Sequence, residues 1–289
     1  MLLVVLASAC FTSVDITVKH LSQRYPIPLL VWARWGMQSL LILAIWGPRL
    51  RWDLVRTKRA PLHLVRGILL VASGACFFSA LKFLPVAEAT ALNFMAPMLV
   101  TLMAGWFLGE HLTRPRWAFV VAGFIGMLLI VRPGTEVLHP AAFFALGAAA
   151  LYATFQILTR KLAGENLMVL LFFPSLVGTV LLSVGVPFFH YQAWYPISDI
   201  LLFAGIGIMG LIGHLLFIKA FQVASASAIA PFTYSQLVWS TLAGWLVFGA
   251  FPDGWTLSGI VIIAGSGVVL TWYERWRASM PQAEPVAVD

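Results

Sequence analysis

Long apolar runs separated by short polar segments dominate this chain. Ten runs approach or exceed the roughly 20 residues a bilayer-crossing helix needs. They cover about 2–18, 28–46, 64–83, 86–108, 117–132, 140–159, 167–188, 199–220, 224–249 and 255–273. The runs are too long and too uniformly apolar for barrel strands, which alternate. Lipid offers no partner for an unpaired backbone amide, so each run is predicted to be a helix. Two runs carry proline near their middles, Pro97 in the fourth and Pro231 in the ninth. Each proline frees a backbone carbonyl, which a membrane tolerates where protein or cavity water can satisfy it. Such a carbonyl suits an ammonium group. Thr90, Asn93, Pro97 and Thr101 share one helix face, and Ser227, Pro231, Tyr234 and Val238 form the corresponding stripe.

The pattern is written twice. "VDITVKHL" (14–21) lies over "FQILTRKL" (155–162), and "GACFFSALKF" (74–83) over "GHLLFIKAFQ" (213–222). Ala87, Ala89 and Ala91 fall on Ala226, Ala228 and Ala230, and "AGW" at 104–106 falls on "AGW" at 243–245. Residues 1–133 and 140–275 therefore read as two copies of a five-helix unit, with 276–289 as a polar, cytoplasmic tail. Five is odd, so the second copy enters the membrane inverted. Inverted repeats are characteristic of secondary transporters, whose site lies between the halves. The competing reading is a duplicated scaffold, membrane enzyme or channel without transport.

Composition narrows the class. Hydrophobic residues make up 61% and charged residues 10%, against about 25% charged in a soluble domain. The mean hydropathy is +0.93. The net charge of +7 would suit nucleic acid, but its distribution argues for topology instead. Arg49, Arg51, Arg56, Lys58, Arg59, Arg66, Arg114, Arg116, Arg160, Lys161, Lys219, Arg275 and Arg277 fall on one side. Only Lys19, Arg24, Lys82 and Arg132 fall on the other, and Arg34 lies within a span. The basic side is cytoplasmic, so both termini are expected there, in a bacterial-type inner membrane. No basic residue precedes the first run, so it is expected to be a retained helix rather than a cleaved signal. Cys10 and Cys76 suggest neither a disulfide framework nor a metal site. HExxH, CxxC and phosphate-loop motifs are absent. No cofactor, metal or enzymatic chemistry is expected.

The stretch "ALKFLPVAEATALNFMAPMLVTLMAGWFLGEHL…RWAFVVAGFIGMLLIV" resembles the EamA domain of the drug/metabolite transporter superfamily. "APFTYSQLVWSTLAGWLVFGAFPD" resembles the second EamA copy, with Ala250 where Glu is usual and Glu110 retained in the first. The resemblance covers nearly the whole chain. It implies eight helices around a central cavity, with the fifth and tenth packed outside. Aromatic amino acid exporters of that family are similar in length and layout. The reading is thus an all-α membrane protein of ten transmembrane helices, arranged as two inverted five-helix repeats around a central cavity. By that resemblance it is expected to export amino acids by alternating access, aromatic or other apolar ones first. Riboflavin, a nucleoside or a cationic drug is the alternative cargo. The partners expected are a small molecule and the bilayer.

Polar groups inside the runs are the candidate site, because ionisable residues at membrane depth usually face a bundle interior. Asp15 and Lys19 lie one turn apart, and Arg34 starts the interior of the second run. Asp15 with Arg34 or Lys19 makes either a structural ion pair or an extracellular gate. His214 either carries a coupling proton or bonds a neighbouring helix. Asn93, Pro97, Tyr152, Gln156 and Tyr234 supply acceptors and donors for a zwitterion, or else helix-packing contacts. Trp35, Phe77, Phe78 and Trp239 offer aromatic surface. Gly123, Gly126, Gly259, Gly265 and Gly267 suit close helix approach.

Overall fold

A computed structural model describes residues 1–108, 112–133, 139–162, 164–185, 195–224 and 226–279. Glu110 and most of the C-terminal tail lie outside the described residues. The helices are α1 (Leu2–Leu21), α2 (Ile27–Leu50), α3 (Ala60–Phe83), α4 (Val86–Asn93), α5 (Ala96–Leu108) and α6 (Arg114–Val131). The second half repeats the order: α7 (Ala141–Lys161), α8 (Leu167–Gly185), α9 (Ile197–Val223), α10 (Ala226–Thr233), α11 (Ser235–Phe248) and α12 (Gly254–Ala278). Among the described residues, nine segments are long and apolar enough to cross a bilayer, α4 and α5 together counting as one. The broken pair α10 and α11 makes the tenth crossing.

Local chemistry explains the ends and the breaks. Prolines sit in the first turns of α2, α3 and α6, where a missing N–H costs nothing. Pro61 lets α3 begin at Ala60, earlier than the apolar run suggests, and so takes His63 into the helix. Asp253 caps α12, accepting from the Thr256 amide at 2.9 Å. The fourth crossing breaks at Phe94 and Met95, just before Pro97. The ninth breaks at Tyr234, three residues after Pro231. Phe94 and Tyr234 touch each other, ring centroids 5.2 Å apart, so the two breaks meet.

Packing follows a pseudo-two-fold pattern. α1 lies against α9, and its counterpart α7 lies against α3. α2 packs on α8 and α6 on α12, each element on its own counterpart. α6 and α12 approach so closely that a Cβ on Gly259 would sit 2.6 Å from the Gly126 carbonyl oxygen. These two helices present Val121, Phe124, Ile125, Val261, Val268, Val269 and Trp272 outward, as a peripheral lipid-facing pair would. Gly123 meets Met98 and Gly267 meets the Tyr234 hydroxyl, while Gly265 has open space.

Long-range polar contacts agree with alternating crossings. Arg116 at the start of α6 pairs with Glu274 near the end of α12 at 2.9 Å. Arg132 at the other end of α6 pairs with Asp253 at the start of α12. Tyr25 meets Asp199, and Thr57 meets Glu165. In each case the partners lie in loops or helix ends that ten alternating crossings put on the same face. Two cavities lie towards opposite ends of the bundle. One of about 30 Å³ is lined by Leu84, Glu88, Arg132 and His139. The other, about 150 Å³, is lined by Thr101, Arg116, Arg160 and Glu274.

Candidate functional site between the repeats

The inward face of α1 carries Val4, Ala7, Ser8, Thr12, Asp15 and Val18, all buried. Asp15 is 5% exposed and accepts a hydrogen bond from Gln236 Nε2 of α11 at 3.3 Å. The first repeat thus supplies the carboxylate and the second supplies the amide that holds it. One turn of α2 places Arg34, Trp35 and Gln38 in succession, Arg34 and Gln38 four apart on one face. The Arg34 guanidinium carbon lies 5.3 Å from the Trp35 ring centroid and 5.9 Å from that of Phe78 on α3. Across the repeat boundary, α9 presents Gly210 to it: a Cβ there would lie 3.5 Å from Arg34 Nη1. α8 approaches Trp35 through Gly178, where a Cβ would lie 2.9 Å from the indole.

Arg34 is held chiefly by aromatic faces. Asp15 and Tyr152 are near enough to interact electrostatically with it. Among the described residues, neither closes a direct ion pair or hydrogen bond with it. A cation at membrane depth without a contact partner is costly. On the same helix, Trp35 Nε1 and Gln38 Oε1 are buried with no hydrogen-bond partner, as is Thr12 Oγ1 one turn before Asp15 on α1. Native interiors rarely leave such groups unpaired. Charge, aromatic surface and spare donors and acceptors therefore converge on one region, built from α1, α2, α3, α9 and α11.

The other sequence-predicted residues divide into those near this region and those engaged elsewhere. His214 bonds the Gly210 carbonyl oxygen through Nδ1 at 2.8 Å and packs edge-on against Phe11 at 5.1 Å. Tyr152, on α7, stacks on Phe155 at 5.5 Å, and Gln156 lies on the same helix, half-buried. Asn93 Oδ1 is buried and unpartnered at the α4–α5 break, as is Thr90 Oγ1 one turn before it. Pro97 opens α5, its carbonyl accepting from Thr101 Oγ1 at 2.9 Å. Tyr234 turns towards Phe94 and Gly267, at the peripheral α12. Trp239 is 37% exposed, its Nε1 bonding the Val5 carbonyl oxygen at 3.2 Å. Lys19 caps the end of α3, donating to the carbonyls of Leu81 and Leu84 at 3.0 and 2.6 Å, rather than to Asp15.

Two participants escape a sequence reading. Gln236 and Gln38 are neutral amides, and nothing in a linear pattern marks which amides face a carboxylate or a guanidinium. The spacing of Gln38 from Arg34 is the one signal that points to it. His63 lies outside this region, fully buried in the first turn of α3 with Glu165 Oε2 at 3.8 Å.

Comparison with known proteins places these features in a lineage. A model of an "EamA-like transporter family" matches residues 1–132 and again 139–272. An S-adenosylmethionine uptake transporter of Rickettsia conorii is 30% identical over 267 residues, covering 90% of this chain and 88% of its own. A riboflavin transporter of Vibrio cholerae is 31% identical over 231 residues, covering 78% and 76%. A pseudopaline exporter of Pseudomonas aeruginosa is 27% identical over 271 residues, covering 93% and 95%. A solved structure described only as "Crystal structure of protein" superposes with a TM-score of 0.63 at 21% identity, over 95% of this chain and 99% of that one. At that identity it speaks to the fold alone.

Proposed function

Because the chain belongs to the EamA-like transporter family, we propose that it exports amino acids, aromatic or other apolar ones first, by alternating access. Its halves, 1–133 and 140–275, would expose one shared site to each face in turn. The observation that carries this reading is Arg34, a membrane-depth guanidinium framed by Trp35 and Phe78 with no direct anionic partner. A substrate carboxylate completes it by a charge-assisted, bidentate bond. Asp15, steadied by Gln236, receives the ammonium. Trp35 and Phe78 provide the surface for an apolar side chain, and the unpaired Thr12, Trp35 and Gln38 atoms offer further hydrogen bonds. The charge bias of the loops supports an inner-membrane protein with both termini in the cytoplasm.

A second cargo is favoured by Asp15, a buried carboxylate between the repeats, which suits an organic cation. S-adenosylmethionine joins a sulfonium to an α-amino acid head and would use the same Arg34 and Asp15 contacts, with uptake instead of export.

The test is counterflow in proteoliposomes against labelled aromatic and aliphatic amino acids, S-adenosylmethionine, riboflavin and cationic drugs. Amino acids should exchange. Arg34→Gln should remove at least about 90% of the exchange, since losing a charged hydrogen bond costs about 1.5–3 kcal/mol, and Arg34→Lys should retain part. Flux of riboflavin or drugs alone would overturn the reading.

A further inference from the structure

Two small polar clusters outside the central region join the repeats, one at each face, at pseudo-equivalent places. The first joins the α1–α2 loop to the start of α9. Tyr25 Oη donates to Asp199 Oδ2 at 2.7 Å, and Arg24 Nη1 lies 3.7 Å from the same oxygen. Asp199 is 3% exposed and sits in the first turn of α9, where a helix N-terminus favours negative charge. Tyr25 stacks on Tyr195 at 5.5 Å and meets Phe203 edge-on at 5.1 Å. Burial and the bonded carboxylate push its hydroxyl up to about 12, so it stays a donor.

The second joins the α7–α8 loop, counterpart of the α1–α2 loop, to the approach and first turn of α3, counterpart of α9. Thr57 Oγ1 donates to Glu165 Oε2 at 3.1 Å, and His63 Nε2 lies 3.8 Å away. Arg59 donates to the Lys161 carbonyl oxygen at 2.9 Å alongside. The polarity is exchanged between the faces. At one face the loop brings the donors and the helix start holds the carboxylate. At the other the loop brings the carboxylate, and the segment leading into α3, with His63 in its first turn, faces it.

We propose that Tyr25–Asp199 and Thr57–Glu165 are the paired gates of the transport cycle, each clasping one face shut and each released while the other holds. Both are engaged here. The inference rests on alternating access and not on the identity of the cargo. Each clasp is one or two hydrogen bonds with an ion pair beside them, between a short loop and a helix start or the segment leading into it. Breaking one leaves the helix packing within each repeat intact. Because the two clasps occupy matched positions in inverted repeats, loosening either shifts the population towards opening at its own face.

The test needs no substrate, so it fails or succeeds independently of the amino acid reading. In a Cys10→Ser, Cys76→Ser background, Thr12→Cys places a single thiol beside Asp15. A membrane-impermeant thiol reagent is then applied to oriented vesicles from the face bearing the chain ends or from the opposite face. Tyr25→Phe keeps the ring stack and removes one donor. It should raise labelling from the opposite face about threefold or more and lower it from the chain-end face, the shift expected from one lost hydrogen bond. Thr57→Val keeps the side-chain shape and should do the reverse, and the double variant should restore the wild-type ratio. Asp199→Asn and Glu165→Gln repeat the experiment with larger perturbations. Unchanged labelling in both pairs of variants, or a rise from both faces alike, would overturn the proposal.

Discussion

Asp253 accepts from Arg132, at the far end of α6, and from the amide of Thr256 in its own helix. The Arg132 bond first, then the Thr256 amide, hold its pKa down at about 2, against about 3.9 in an unfolded chain. A carboxylate depressed in this way contributes stability above its unfolded pKa and loses it as pH falls from about 4 towards 2. Its side chain is 52% exposed, so solvent and salt screen the pair and the contribution is modest. Thermal unfolding of the detergent-solubilised protein from pH 6 to pH 2.5 should show a smaller drop in melting temperature for Asp253→Asn than for wild type. An equal drop would remove Asp253 from the acid response. At this scale the sequence exposes Asp15 and Arg34 readily, because a charge within an apolar run is rare and must be accommodated. It does not expose Gln236, whose meaning comes only from facing Asp15 across 221 residues of chain. Nor does it reveal that Lys19 is engaged with α3 carbonyls, since a lysine one turn from an aspartate looks like its partner.

Among the helices, α6 and α12 show what glycine contributes. A methyl on Gly259 would meet the Gly126 carbonyl oxygen and the Ile130 side chain, each at 2.6 Å. One at Gly265 would meet nothing within 4 Å. Gly259→Ala should therefore destabilise the protein by about 1–3 kcal/mol, the usual cost of overpacking, and Gly265→Ala should change it little. Comparing melting temperatures of the two variants checks this, and equal values would exclude close packing as the role of Gly259. The apolar runs predict every crossing, with ends displaced by a few residues where Pro61 or Asp253 sets the true start. The prolines also mark the two broken crossings. Their precise break points follow less directly: Pro97 lies after its break and Pro231 before its own. That Phe94 meets Tyr234 is a property of the assembled pair and of neither helix alone.

For the whole molecule, an even number of crossings puts both chain ends on the same face. Impermeant labelling of single cysteines at the two termini in oriented vesicles should modify both from one side, the cytoplasmic one by the charge bias. Labelling from opposite sides would undo the helix count and the inversion together. The duplication is legible from "AGW" at 104–106 and 243–245 and from the aligned alanines. The gates are harder to see, because inversion exchanges their polarity: Arg24 aligns with Glu165, and chemically opposite residues hide an equivalent position. The contacts of α2 with α8 and of α6 with α12 carry a further consequence. Were the two halves to trade shapes in the proposed cycle, the α1–α9 junction would take on the form of α3–α7 and vice versa. A junction between an element and its own counterpart is carried onto itself. If the halves alternate as proposed, those two seams would form the stationary spine about which the rest of the bundle rocks.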